Sequence, residues 1–217
     1  MNEEALKSIA AQLRQPHGEY ALQIGEKMNE GNLHINRNTI EALQPEANDN
    51  ILEIGMGNGF FVKDILSVDA SIQYTGCDFS EAMVTEAVKR NEAFVKAGQA
   101  GFHHASAEKL PLADATFDKI FTINTIYFWD DQPAVFAELR RVLKPKGELL
   151  ISVRPKSVMQ HYSFVKYGFN MFTKEELARL IAANHFTVTE ILEKDEPDQE
   201  LNGEKLVVKT LLVRAER

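Results

Sequence analysis

Cysteine occurs once in the 217 residues, at Cys77, which excludes an internal disulfide and a thiolate metal cluster. Basic residues are in deficit: 24 Lys and Arg stand against 32 Asp and Glu, a formal net charge of -8 with the two signs interspersed. Such a surface repels a phosphate backbone, so no nucleic-acid partner is expected. No uninterrupted apolar run reaches the ~18 residues of a membrane helix, and no membrane association is expected. The opening "MNEEALKSIAAQLRQ" lacks an apolar signal core and carries Glu3 and Glu4; the expectation is a soluble, cytoplasmic protein. Pro/Gly-rich linkers, low-complexity tracts and internal repeats are missing too, which confines expected disorder to the ends.

What is present reads as one α/β domain, for which 217 residues suffice and two domains would be cramped. From residue 50 onward short apolar runs alternate with longer helical ones, the mark of βαβ units and a parallel sheet. "ILEIG" is a strand and "FFVKDILSV" the helix after it; then come "IQYTGCD" (strand), "SEAMVTEAVKRNEAFVKAG" (helix), "GFHHAS" and "TFDKIFTIN" (strands), "PAVFAELRRVLKPKG" (helix) and "ELLISVR" (strand). Ser80 can cap the second helix and Gly98 end it, while Pro145 and Gly147 can stop the helix before the fifth strand.

The flanks are less regular. Residues 1–48 hold two helical segments, about 3–14 and 36–44, that form a cover too small for a domain. Residues 49–154 make the core, and 155–172 an aromatic stretch without clean period. Residues 173–217 supply a capped helix, "TKEELARLIAANH", and two strands, "FTVTEILEK" and "KLVVKTLLVRA". Joined only by the polar "DEPDQELNGE", these strands can pair as an antiparallel hairpin.

"ILEIGMGNGFF" carries the chemistry. Glycines after a buried strand turn the backbone sharply and let a ligand approach main-chain N–H groups at the next helix start. A dinucleotide fingerprint needs G-x-G-x-x-G/A. Here Gly55, Gly57 and Gly59 fall at every second position, and the last required small residue is Phe60. Glu53 lies in a strand otherwise buried on both faces, so its carboxylate must meet a donor or cation, or cap N–H groups of the glycine loop.

With Glu53, E-x-G-x-G-x-G resembles motif I of class I S-adenosylmethionine-dependent methyltransferases, of the small-molecule, ubiquinone/menaquinone-methyltransferase-like type. "CDFSEAM", "ASAEKLPLADATFDKIFTIN" and "ELRRVLKPKGELLIS" resemble that family's later motifs, in order, over residues 51–153. The resemblance implies a Rossmann-like, seven-stranded, mostly parallel sheet with helices on both faces and the last strand antiparallel. It implies S-adenosylmethionine as cofactor, cradled by Glu53, Gly55, Met56, Gly57, Asn58 and Gly59. Asp78 would accept from the ribose hydroxyls, with Phe79 and Met83 beside the adenine. Ser106, Ala107 and Glu108 would meet the adenine edge, and Asn124 and Thr125 the methionine part. The family's usual Asp is Ser106 here, a neutral and therefore weaker acceptor; Glu108 either substitutes for it or serves as an ordinary helix-start acid.

The resemblance places Tyr127 or Trp129 in an acceptor pocket, where ring faces suit a sulfonium; the alternative is packing over the sheet edge. Tyr20, Met28, Tyr162 and Phe169 are further candidate substrate contacts within an aromatic lid. Tyr127 and His161 are candidate proton acceptors, and a lone histidine is as readily structural. Asp130 and Asp131 precede Pro133 and read as a helix cap rather than a metal site. The reaction expected is in-line methyl transfer to a small, partly apolar molecule. Two other readings remain, a Rossmann-type NAD(P)-dependent oxidoreductase and a methyltransferase-like binding protein without turnover.

Overall fold

A computed structural model describes residues 2–201 and 203–217. Three helices open the chain: α1 (Glu3–Arg14), α2 (Ala21–Gly31) and α3 (Leu33–Leu43). There follow β1 (Asn50–Ile54), α4 (Val62–Leu66), β2 (Gln73–Asp78), α5 (Glu81–Arg90), α6 (Glu92–Lys96), β3 (Ala100–His104) and β4 (Phe117–Ile123). After a 3-10 turn at Ile126–Phe128 come α7 (Gln132–Val142), β5 (Leu143–Val153), α8 (Lys156–Met159), a 3-10 turn at Ser163–Lys166 and α9 (Lys174–Ala183). Four strands close the chain: β6 (Thr187–Asp195), β7 (Gln199–Leu201), β8 (Glu204–Leu206) and β9 (Lys209–Glu216).

Seven strands form one sheet in the order β3-β2-β1-β4-β5-β9-β6. Neighbours from β3 through β5 are parallel, and β9 is antiparallel to both β5 and β6. Side chains of a strand alternate between faces, and the central strands are apolar at both. In β1, Ile51 joins Ile35, Leu43 and Ile65 on one side, while Leu52 joins Phe136, Leu139 and Leu177 on the other. Ile120 and Phe121 of β4 divide the same way. The two cores therefore place α3 and α4 on one face and α7 and α9 on the other, as expected. Each of these fully buried side chains contributes roughly 1.5–3 kcal/mol.

Four local expectations change. The N-terminal cover has a further helix, α2, whose Gly25 and Gly31 and lack of a side-chain cap weaken its helical signature. Gly25 permits close packing: a Cβ there would lie 3.2 Å from Asn58 and from Met83. The helix expected over 80–98 breaks at Asn91, whose side-chain amide donates to the carbonyls of Gly59 and Ala87 at 2.9 and 3.0 Å. The next helix ends at Val142, because the ring of Pro145 bars Lys144 from helical geometry. The terminal strands pair antiparallel, yet the second is split. Leu206 and Val208 turn inward to pack with Val158, and β7 and β8 make a small ladder of their own between β6 and β9.

In the sheet order the sequence reverses direction at β1, which lies between β2 and β4. A crevice opens beyond the carboxyl ends of strands at such a point.

Candidate functional site

That crevice is a cavity of about 740 Å³. Its floor is the residues that follow β1 to β5, and α1 and α2 roof it with Ile9, Leu13, Ile24 and Met28. The roof is fastened from both sides. Arg14 pairs with Asp130, Gln15 Nε2 donates to the Phe79 carbonyl at 2.9 Å, and Ser80 Oγ donates to the Pro16 carbonyl at 2.6 Å. Asp131 caps α7 by accepting from the Ala134 N–H, and no metal-binding cluster occurs among the described residues.

The glycine loop leaves β1 with positive φ at Gly55 (75°) and Gly57 (57°), a conformation that side chains resist. A Cβ on Gly55 would lie 2.2 Å from Thr125 Cγ2, so this glycine lets the loop after β4 pack on the loop after β1. A Cβ on Gly57 would meet nothing within 4 Å; its missing side chain leaves free space in the cavity wall. Gly59 lies away from the cavity, tight against Asn91 and Ala87 of α5.

Asp78, at the end of β2, accepts from Gly57 N–H at 3.0 Å and from Ser80 N–H at 2.8 Å. Burial raises its pKa, and these two donors and His104 hold the rise back. A carboxylate offers about four acceptor sites, so Asp78 fixes the loop and keeps capacity for hydroxyls in the cavity. Glu53 receives the Tyr74 hydroxyl at 2.5 Å. Burial pushes its pKa up to about 7; the Tyr74 hydrogen bond opposes the rise and the nearby Asp78 charge adds to it. The donor that Glu53 requires is thus a tyrosine, and a glycine-loop N–H goes to Asp78. Asn58 donates to Glu26 at 3.3 Å, and its buried Oδ1 has no partner among the described residues. Open space at Gly57, unused capacity on Asp78 and an unsatisfied acceptor on Asn58 fit a polar cofactor laid over this loop.

Met56, Phe79, Met83, Ala107 and Glu108 also face the cavity. So does Ser106, whose Oγ accepts from Glu108 N–H at 3.3 Å. Asn124 adopts φ 57°, accepts from Arg154 N–H and the Tyr127 hydroxyl, and donates to Asn32 Oδ1 at 3.3 Å. Thr125 is bonded to Thr122, which in turn donates to the Ile54 carbonyl. Tyr127 is fully buried, and its hydroxyl donates to the Arg154 carbonyl at 2.7 Å. Burial raises its pKa, and it offers the cavity a ring, with its hydroxyl committed to the wall. Trp129, Met28, Tyr162 and Phe169 line the space as well. The ring of Phe169 lies 4.6 Å from Phe128, 5.5 Å from Phe164 and 5.8 Å from Tyr127.

Three expected contacts fall outside: Gly59, whose missing side chain serves packing against Asn91 and Ala87 instead of the cavity, and two more. Tyr20 is 59% exposed at the start of α2, and His161 is exposed at the end of α8; neither lines the cavity. One wall feature went unread in the sequence, a buried ion pair between Arg154 and Glu196 at 2.7 Å. Its only sequence signal is an arginine ending the apolar strand "ELLISVR".

A profile for a methyltransferase domain matches residues 52–151. An uncharacterised methyltransferase of Bacillus subtilis, YdaC, is 32% identical over 125 residues, covering 58% of this chain and 67% of its own. A ubiquinone/menaquinone biosynthesis C-methyltransferase of Paracoccus denitrificans is 29% identical over 163 residues, covering 73% and 64%. The match spans about half the length of fungal O-methyltransferases that are also similar. In fold, a putative methyltransferase of Haloferax volcanii, solved with its Trm112 activator, superposes with TM-score 0.77 at 16% identity over 88% of this chain and 92% of its own. The chain belongs to the class I S-adenosylmethionine-dependent methyltransferases. S-adenosylmethionine is accordingly its cofactor, and the dinucleotide reading of the glycine turn is set aside.

Proposed function

We propose that this protein transfers a methyl group from S-adenosylmethionine to a small, partly apolar molecule in the cytoplasm. One observation carries the reading: the polar cradle at Gly57, Asn58 and Asp78 and the rings of Phe128, Phe164 and Phe169 line a single cavity. Its volume, about 740 Å³, is in the range of small-molecule sites. The net charge of -8 argues against nucleic acid as acceptor, and a single buried cysteine suits a reducing compartment.

In this reading Asp78 holds the ribose hydroxyls, Phe79 and Met83 flank the adenine, and Ser106, Ala107 and Glu108 meet its edge. Residues 53–58, with Asn124 and Thr125, hold the methionine part. The bound cofactor supplies an electrophilic methyl group, so the chain's own work is alignment and exclusion of water. The fastened roof of α1 and α2 serves the second task, and residues 155–172 complete the lid over the acceptor. The chain works as one domain over 1–217.

S-adenosylhomocysteine is expected to raise the melting temperature, while NAD(H) and NADP(H) leave it unchanged; stabilisation by a nicotinamide instead would overturn the assignment. Label transfer from methyl-labelled cofactor across an acceptor panel then distinguishes turnover from binding alone. Ser106→Asp supplies a charged acceptor to the adenine amine and is expected to tighten S-adenosylhomocysteine about tenfold by calorimetry. A weakened affinity would place the adenine elsewhere.

A further inference from the structure

The end of the cavity away from Asp78 is walled by Arg154, Tyr162 and Gln199, beside Phe164 and Phe169. Arg154 is 8% exposed and Glu196 7%. A buried guanidinium without compensation is very costly, and here a carboxylate matches its charge. Glu196 takes Arg154 Nε at 3.2 Å on one oxygen and Nη2 at 2.7 Å on the other, and the Thr210 hydroxyl donates to the first at 3.0 Å. Nη2 also donates to the Gly31 carbonyl at 2.7 Å, tying the pair to the end of α2. Nη1 has no partner among the described residues, although Arg154 is a wall residue of the cavity. Gln199 lines the same cavity, its Oε1 held by the Tyr162 hydroxyl at 2.7 Å, which leaves its amide N–H groups available.

The pair as a whole is electrically neutral, yet it presents a fixed donor. An added carboxylate or phosphate would leave this buried wall with net negative charge, and a hydrocarbon would leave the Nη1 donor unsatisfied. An uncharged carbonyl oxygen does neither. We propose that the methyl acceptor is a neutral, ring-bearing molecule whose carbonyl oxygen accepts from Arg154 Nη1, with its ring against Phe164 and Phe169. This rests on the methyltransferase reading and names the acceptor class for it.

The test uses the protein saturated with S-adenosylhomocysteine and three probes of one shape: 2-acetylnaphthalene, 2-naphthoate and 2-ethylnaphthalene. Calorimetry is expected to rank the ketone at least tenfold tighter than either of the others. Arg154→Ala alone strands a buried carboxylate and can unfold the chain, so the variant is the double replacement Arg154→Met with Glu196→Gln. In it the preference for the ketone over the hydrocarbon is expected to fall below threefold. Tighter binding of the naphthoate, equal binding of all three, binding of none, or a ketone preference that survives in the variant would each overturn the proposal. Failure of S-adenosylhomocysteine itself to bind the native protein would instead remove the methyltransferase reading beneath it.

Discussion

Asp78→Ala is expected to weaken S-adenosylhomocysteine binding by about 100-fold or more, since two hydrogen bonds from hydroxyls to a carboxylate amount to roughly 3 kcal/mol or above. The stability of the unliganded protein should change far less. The substitution removes a carboxyl whose burial raises its pKa, which is a gain, and orphans the N–H groups of Gly57 and Ser80, which is a loss. Calorimetry and a urea titration separate the two effects. A variant that binds normally would show that the ribose lies elsewhere, whereas a variant that is merely unstable would show Asp78 to be a brace for the glycine loop.

Glu53 should make stability fall as pH rises. Its folded pKa of about 7 lies above the ordinary carboxyl value of 4.5, so between those values the native state holds a proton that the unfolded chain has released. Stability is therefore full below about pH 4.5 and declines through pH 7, by on the order of 3 kcal/mol in all. Glu53→Gln keeps an oxygen for the Tyr74 hydroxyl and cannot ionise. Its urea midpoint should lie above that of the native protein at pH 7.5 and converge with it near pH 4.5. Parallel pH profiles for the two proteins would show that Glu53 titrates as an ordinary carboxylate. A cationic amino group of the cofactor beside Glu53 would draw its proton away, in which case protection by S-adenosylmethionine grows with pH in the native protein and not in the variant.

The parts of the fold legible in the sequence are those whose physics is local. Strands buried on both faces must be continuous apolar runs, so β1, β4 and β5 announce themselves. Ser80 and Thr173 hydrogen-bond the N–H groups that open α5 and α9, as their residue types suggest. Glycine spacing plus Glu53 and Asp78 mark the end of the cavity proposed for the cofactor. What was illegible depends on partners far apart in the chain. Arg154 and Glu196 are 42 residues apart, and Glu196 stands in "DEPDQELNGE", a run indistinguishable from a solvated loop. Tyr20, Tyr127 and His161 have side chains suited to a site, but direction decides. One points to solvent, one spends its hydroxyl on a backbone carbonyl, and the third lies beyond the cavity. α2 is hidden because Gly25, which serves the contacts with Asn58 and Met83, and Gly31 both lower its helix propensity.

The ladder of β7 and β8, set between the two strands that close the sheet, brings Gln199 to the far end of the cavity, with Glu196 just ahead of it. The ends proposed for methyl donor and acceptor are thus written in separate stretches of sequence. Connecting segments tolerate changes in length and sequence at little cost to folding. A lineage that keeps the Arg154–Glu196 pair can therefore vary the β7–β8 segment around it and, on the acceptor proposal above, redirect its choice of acceptor while the glycine loop, Glu53 and Asp78 stay untouched. One scaffold in this way becomes a starting point for many selectivities.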